Sequence, residues 1–183
     1  ELHVLDIGFK PLTKLHDYIK LVSRDDVRNL APVYSENTHK YNRGKLLTIA
    51  GSSGYTGACI LASRAAINSG VGILKVVSPL GLKDQYENKL IEPIIKYVGD
   101  NGNCELSLKH LDEIADEISW ADSILIGPGL SNEASKVSFK ENLLKSIKNK
   151  IILDASGFQS IIEGNLKIND LPETSILTPH YSE

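Results

Sequence analysis

Short apolar runs alternate with amphipathic stretches along most of the chain. Strands are predicted near residues 45–50, 73–77, 94–98, 123–127, 151–154 and 174–178. Runs such as Leu46-Leu47-Thr48-Ile49 and Ile151-Ile152-Leu153 are apolar at nearly every position, as in strands that are covered on both faces. Apolar strands separated by helices predict an α/β fold, a helix–sheet–helix sandwich with a mostly parallel sheet.

A helical period is clearest between residues 108 and 118, behind a Ser107 cap. The apolar positions of this predicted helix share one face and are Leu108, Leu111, Ile114, Ala115 and Ile118. Lys109, Asp112, Glu113 and Asp116 occupy the opposite face. This distribution predicts a helix that packs against the sheet through one side.

Two further helices have recognisable boundaries. One is predicted from residue 58 to residue 68 and stops at Gly70. The other is short: Ser23 is followed three residues later by an acidic residue, the pattern of a capping box, and Pro32 ends the segment. The chain before residue 23 has no clear period and is predicted to be the end of a preceding unit and a linker, so the main domain is predicted to span residues 23–183.

Composition narrows the class of protein. The 183 residues are 42% hydrophobic and 23% charged, the balance of one soluble domain. A net charge of -3 and a pI of about 6.0 argue against binding of nucleic acid. There is no apolar run of transmembrane length and no signal-peptide pattern, which predicts a cytoplasmic protein without a membrane partner. Cys59 and Cys104 have no Cys-x-x-Cys spacing, which predicts reduced thiols and no metal site.

The sequence contains no methionine and stops just after a strand-like run. We therefore expect that it is a piece of a longer polypeptide and that the sheet is incomplete at the C-terminal end. The alternative is that modified methionines are not represented in the sequence.

Glycine, acidic and histidine residues follow four of the predicted strands. They are the glycine-rich segment 50–58, Gly127-Pro128-Gly129, Asp154 and His180. In open α/β sheets ligands bind outside the carboxyl ends of the strands, where glycines leave backbone N–H groups uncovered. Each feature alone also fits a tight turn, a helix cap or a surface histidine. Together, four such strand ends predict a ligand site.

Lys40 lies just ahead of the first core strand, beside His39 and Tyr41. A solvated loop is the simpler interpretation of this segment. The alternative is that Lys40 approaches the phosphate of a nucleotide as a mobile point charge.

These motifs occur in an order that resembles a known family. They are His39-Lys40-Tyr41-x-x-Gly44, Ala50-Gly51-Ser52-x-Gly54-Tyr55-Thr56-Gly57-Ala58, Ala66 with Ser69-Gly70-x-Gly72, Gly127-Pro128-Gly129-Leu130, Leu153-Asp154-Ala155 and Leu177-Thr178-Pro179-His180-x-x-Glu183. The series resembles the ADP/ATP-dependent NAD(P)H-hydrate dehydratases, which have the ribokinase-like fold. The opening Val4-x-Asp6-Ile7-Gly8 resembles the end of the epimerase domain that precedes the dehydratase in fused bacterial proteins.

The resemblance implies a repair reaction that converts hydrated cofactors, NADHX and NADPHX, to NADH and NADPH with ADP or ATP and Mg²⁺. It implies that Ala58, Gly129 and His180 line the hydrated cofactor. It further implies that Gly57 and Gly127 lie against the ligand and that Asp154 has a polar or magnesium-related role nearby. A homo-oligomer is also implied.

Two departures from the family pattern are visible. Ser156 stands where the family commonly has Asp, and Ser131 stands where it often has Gly. The family's nucleotide-binding region and its catalytic Asp are expected beyond residue 183, so the catalytic base is not assigned and this piece alone is expected to be inactive. The alternatives are a vitamin-precursor kinase of the same fold and a binding module that has lost the chemistry.

Overall fold

A computed structural model describes residues 21–181 and divides the chain into two units, residues 1–36 and 37–183. In the first unit the described residues form helix α1, Arg24–Leu30. Its N-terminus is a capping box: the Asp26 N–H donates to Ser23 Oγ at 3.2 Å, and the Ser23 N–H donates to the Asp26 carboxylate at 2.9 Å. The predicted start of this helix at Ser23 is confirmed. The predicted unit before residue 23 lies almost wholly outside the described residues.

The second unit is built on a six-stranded sheet in which every pair of neighbours is parallel. The strands are β1 (Lys45–Ile49), β2 (Ile73–Pro79), β3 (Ile94–Val98), β4 (Ser123–Ile126), β5 (Lys150–Asp154) and β6 (Ile176–Thr178). Their spatial order is β3-β2-β1-β4-β5-β6. All six predicted strands are confirmed.

Helices cover both faces of this sheet. They are α2 (Thr56–Asn68), α3 (Lys83–Glu87), α4 (Ala115–Trp120), α5 (Val137–Ser146) and α6 (Gln159–Ile162), and short 3₁₀ turns join several of them. Successive residues of β1 point to opposite sides. Leu46 joins a core cluster with Ile60 of α2, whereas Leu47 joins a second cluster with Leu143 of α5. The predicted three-layer sandwich is therefore present.

The helix predicted from residue 108 to residue 118 is broken instead of continuous. Two 3₁₀ turns, Leu108–His110 and Asp112–Ile114, precede α4. The imidazole of His110 is 1% exposed, and its Nδ1 accepts a hydrogen bond from the Ser107 N–H at 3.1 Å. The first turn is fixed by burial of the His110 ring. Leu108 is not buried by this turn and remains 50% exposed. The predicted apolar face was wrong at Leu108 and Ala115, which are exposed, and correct at Ile114 and Ile118, which are buried.

Helix α2 begins two residues before its predicted start and ends at Asn68, as predicted. Gly70, with a φ of 88°, follows the helix. Among residues 21–181 there is no helix that is both long and apolar enough to cross a membrane.

Candidate functional site

The carboxyl ends of the three central strands lie side by side. Ile49 at the end of β1 pairs in register with Ile126 of β4, and Ile126 pairs with Leu153 of β5. The segments that follow these strands therefore meet at one edge of the sheet, as the sequence predicted. This edge is the usual position of a ligand site in a parallel α/β sheet.

The glycine-rich turn after β1 is joined to the loop after β4. Gly51, with a φ of 84°, donates its N–H to the carbonyl oxygen of Pro128 at 2.9 Å. Ser52 donates its hydroxyl to the carbonyl oxygen of Gly129 at 2.9 Å. Behind the turn, the hydroxyl of Tyr86 lies 2.0 Å from where a Cβ on Gly51 would be. Only glycine fits between this tyrosine and the neighbouring loop.

Gly129 lies directly against the start of α2. Its φ is 69°, and a Cβ on it would lie 2.6 Å from the carbonyl oxygen of Tyr55 and 3.0 Å from the Cβ of Ala58. The loop after β4 and the first turn of α2 therefore touch through Gly129 and Ala58. The structure brings together these two residues, which the sequence predicted to share a site.

A cavity of about 410 Å³ opens beside this contact. It is lined by Tyr55, Ala58, Gly129, Asn132, Ala155, Ser156, Gln159, Ile162 and Glu163. A second cavity of about 400 Å³ shares Tyr55, Asn132 and Ser156 with the first, so the two adjoin. Together they form a cleft along the carboxyl ends of β1, β4 and β5. Ser156, one of the departures from the family pattern, lines both parts.

The strand end at β5 combines an acidic side chain with an unusual backbone. The Asp154 carboxylate accepts a hydrogen bond from the hydroxyl of Thr178 at 2.8 Å, so it faces β6. Asp154 is not among the residues that line the first cavity. The next residue, Ala155, has a φ of 47°, a conformation that favours glycine, and it does line that cavity.

Gly127 has a packing role in this structure. Its φ is 121°, and a Cβ on it would lie 1.7 Å from the carbonyl oxygen of Asp154. It therefore allows the loop after β4 to approach the end of β5. Gly57 is different: it is exposed at the start of α2, and nothing lies within 4 Å of where its Cβ would be.

The remaining two predicted residues lie apart from the cavity. His180 is exposed and lies two residues beyond Thr178, at the same edge of the sheet, but it is not among the lining residues. Lys40 lies at the opposite edge, because a Cβ on Gly72, the residue just before β2, would lie 1.7 Å from the Lys40 carbonyl oxygen. Its ammonium lies 5.4 Å from the centre of the Tyr41 ring. This position gives no support to a role for Lys40 at the cleft.

The sequence analysis missed a buried lysine behind the cleft. Lys140 of α5 is 1% exposed, and its ammonium donates to the Ser131 carbonyl oxygen at 2.6 Å and to Gln159 Oε1. Burial lowers the pKa of Lys140 to about 8, although the nearby Glu163 and Glu105 act to raise it. The sequence did indicate that Lys140 could be buried, because it shares its helix face with the buried Leu143 and Leu144.

Gln159 connects this lysine to the cavity. Its side chain is 7% exposed, and its amide nitrogen donates to the Asn132 carbonyl oxygen at 2.8 Å and to the Glu163 carboxylate at 3.0 Å. Glu105, on the other side of the cleft, forms an ion pair with Lys136 at 3.1 Å. The cleft therefore has an ordered polar wall that no single sequence motif indicated.

Within residues 21–181 there is no group of three or more His, Cys, Asp or Glu side chains that could hold a metal ion. The chemistry of the cleft is that of a pocket with exposed backbone, an apolar side at Ala58 and Ile162, and a polar wall.

Comparison with known sequences shows what the chain resembles. A family model for the NAD(P)H-hydrate dehydratases matches residues 46–183. The bifunctional NAD(P)H-hydrate repair enzyme of Moorella thermoacetica is 28% identical over 184 aligned positions, which cover 100% of this chain and 35% of that protein. The repair enzyme of Thermosynechococcus vestitus is 36% identical over 146 positions, 80% of this chain and 27% of that protein. The chain thus spans between about a quarter and a third of the length of these curated relatives.

Solved structures share the fold. A ribokinase-like superfamily protein from Enterococcus faecalis superimposes with a TM-score of 0.74 at 24% identity, over 91% of this chain and 57% of that one. The ADP/ATP-dependent NAD(P)H-hydrate dehydratase of Bacillus subtilis, co-crystallised with ATP and Mg²⁺, superimposes with a TM-score of 0.56 at 24% identity, over 74% of this chain and 46% of that one. The predicted ribokinase-like fold is confirmed.

Proposed function

Because the chain belongs to the NAD(P)H-hydrate dehydratase family, we propose that its cleft holds the hydrated nicotinamide ring of NADHX or NADPHX. We further propose that the polypeptide to which it belongs returns that ring to NADH or NADPH at the expense of ADP or ATP. These proposals keep the substrate that the motifs implied, and they assign it to the cleft beside α2.

The contact between Gly129 and Ala58 is the observation that carries this proposal. A side chain on Gly129 would meet Tyr55 and Ala58. The backbone of the loop after β4 therefore contacts the first turn of α2 directly, with no side chain between them. The adjoining cavity of about 410 Å³ is in the range of small-molecule sites and is large enough for a substituted six-membered ring. Tyr55 and Ile162 offer it apolar surface.

The proposed reaction uses two substrates, the hydrated cofactor and the nucleotide, and proceeds in two steps. A ring hydroxyl is a poor leaving group, so its oxygen first attacks the terminal phosphorus of the nucleotide, and the shortened nucleotide departs. Phosphate then leaves with the electron pair of the C–O bond, a proton is lost from the adjacent carbon, and the ring double bond forms. The described residues contribute by orienting the ring and excluding water. Positioning, together with stabilisation of charge on the transferred phosphoryl group, supplies most of the catalysis in phosphoryl transfer.

The nucleotide and Mg²⁺ are proposed to bind through residues outside 21–181. The described residues include no group of three or more His, Cys, Asp or Glu side chains, and Lys40 lies at the far edge of the sheet. The family resemblance puts the catalytic Asp outside these residues, so we assign no catalytic base and propose that residues 1–183 alone are inactive. The choice between ADP and ATP, the homo-oligomeric state and the cytoplasmic location stay predictions.

The test follows recovery of the absorbance of reduced nicotinamide from purified NADHX, with ADP or ATP and Mg²⁺, using the full-length polypeptide that carries this sequence. We expect recovery that requires a nucleotide. Ala58→Leu should abolish it by filling the cavity, whereas Ala65→Leu, on the exposed part of α2, should leave it unchanged. No recovery with either nucleotide from a folded protein would refute the proposal and favour a vitamin-precursor kinase or a binding module.

A further inference from the structure

The cavity beside Ala58 has an uneven charge distribution. Among its nine lining residues, all within the described chain, Glu163 is the one charged side chain. The others are apolar, glycine or neutral polar residues. A carboxylate in an otherwise uncharged wall accepts hydrogen bonds from a ligand and repels negative groups on it. Glu163 is therefore placed to discriminate between ligands by charge.

Lys140 sets the orientation of the side chain next to Glu163. An ammonium can only donate hydrogen bonds, so the Gln159 atom that meets it must be the amide oxygen. The amide nitrogen then points the other way, towards the Asn132 carbonyl oxygen and the Glu163 carboxylate. The buried lysine thus removes the usual ambiguity of a glutamine amide and leaves Gln159 with a single arrangement.

This arrangement also holds the Glu163 carboxylate. Its Oε2 accepts from Gln159 at 3.0 Å. No hydrogen bond among the described residues engages Oε1 in the structure, although Glu163 lines the cavity. A carboxylate that is held at one oxygen offers the other as a directed acceptor. Its preferred partner is an N–H or O–H group, and a ligand carboxylate at the same place would face it with like charge.

We propose that Glu163, positioned by Gln159 and Lys140, makes the cleft select a ring that carries a neutral carboxamide over one that carries a carboxylate. The inference rests on the proposed function, because the nicotinamide ring bears such a carboxamide. The carboxamide N–H₂ donates to Glu163 Oε1. The deamidated counterpart of the substrate, a hydrated and reduced nicotinic acid dinucleotide, is disfavoured by repulsion. Glu163 is thus a specificity-determining residue, and Lys140 and Gln159 are positioning residues.

The experiment compares kcat/KM for NADHX with kcat/KM for the hydrated, reduced nicotinic acid adenine dinucleotide in the full-length polypeptide. The unaltered protein should prefer NADHX by about tenfold or more, the usual effect of a hydrogen bond to a charged group. Glu163→Gln, which keeps the shape and removes the charge, should bring the ratio close to one. Glu92→Gln, an exposed carboxylate just before β3 at the opposite edge of the sheet, should leave the ratio unchanged.

The positioning role of Lys140 has its own readout. Lys140→Met should raise KM for NADHX with little change in kcat, and should lower the substrate ratio, because Gln159 loses the donor that fixes it. Lys145→Met, on the exposed side of the same helix, is the matched control. If Lys140→Met unfolds the protein, the double variant Lys140→Met/Gln159→Leu replaces both buried polar groups with apolar side chains and should show the same fall in the ratio.

The outcomes separate this inference from the proposed function. Turnover of NADHX with a ratio near one in the unaltered protein, or a ratio that Glu163→Gln leaves intact, would overturn the inference and leave the function standing. Absence of turnover with both substrates would overturn the proposed function and the inference with it.

Discussion

Replacement of Gly129 by alanine is a sharp structural test of the cleft. Gly129 has a φ of 69°, a conformation that costs a residue with a Cβ about 1–2 kcal/mol. The new methyl group would also lie 2.6 Å from the Tyr55 carbonyl oxygen and 3.0 Å from the Ala58 Cβ. Relief of these contacts requires the loop or α2 to move, and such overpacking costs a further 1–3 kcal/mol or so. The expected loss in free energy of unfolding is therefore about 3 kcal/mol.

Gly54→Ala is the matched control. Gly54 has a similar φ of 80°, but nothing lies within 4 Å of where its Cβ would be. Gly54→Ala should therefore lower the free energy of unfolding only by the cost of the backbone conformation, about 1–2 kcal/mol. Urea denaturation of both variants, followed through Trp120, the single tryptophan of the sequence, gives the comparison. Equal losses for Gly129→Ala and Gly54→Ala would refute the close approach between the loop and α2.

Three further predictions follow from the same geometry. Gly57→Ala should not lower the free energy of unfolding, since its methyl group meets no atom and alanine is favoured over glycine in a helix by up to about 1 kcal/mol. It should nevertheless raise KM for NADHX in the turnover assay if Gly57 lies against the ligand. Ser52→Ala removes the hydroxyl that donates to the Gly129 carbonyl oxygen at 2.9 Å and should cost about 1 kcal/mol in urea denaturation, whereas Ser53→Ala, exposed on the same turn, should cost almost nothing. The pKa of Lys140 is lowered by burial from 10.5 to about 8, so in this range the unfolded chain binds more protons than the folded one. The contribution of Lys140 to the free energy of unfolding should therefore rise between pH 8 and pH 10.5 by up to roughly 3 kcal/mol. The difference between the pH profiles of the unaltered protein and Lys140→Met should show this rise, because other titrating groups contribute equally to both.

The strands of this protein could be predicted from the sequence because each is an apolar run with a polar or glycine end. The helix after Ser107 could not be predicted with the same success. A helical period assumes that polar residues stay exposed, but His110 is buried and hydrogen-bonded to the Ser107 backbone. A tertiary contact of this kind overrides the local pattern and breaks the first turns into 3₁₀ geometry.

The part of the site that depends on close approach of the backbone could be predicted from the sequence. Gly129 and Ala58 were identified from motifs, and the structure places them in contact. The polar wall of Lys140, Gln159 and Glu163 was not identified, because Lys140 lies on α5 whereas Gln159 and Glu163 lie on α6 and at its end, 19 or more residues further along the chain. Only the fold brings them together. The predicted role of His180 in binding the cofactor remains a prediction.

The central claim is that the hydrated nicotinamide ring lies in the cleft between the loop after β4 and the start of α2. A crystal structure of the full-length polypeptide with bound NADHX tests it most directly. We expect the ring within van der Waals distance of Ala58 and Gly129, with its carboxamide directed to Glu163. A ring bound at the amino-terminal edge of the sheet, near Lys40, would contradict the account.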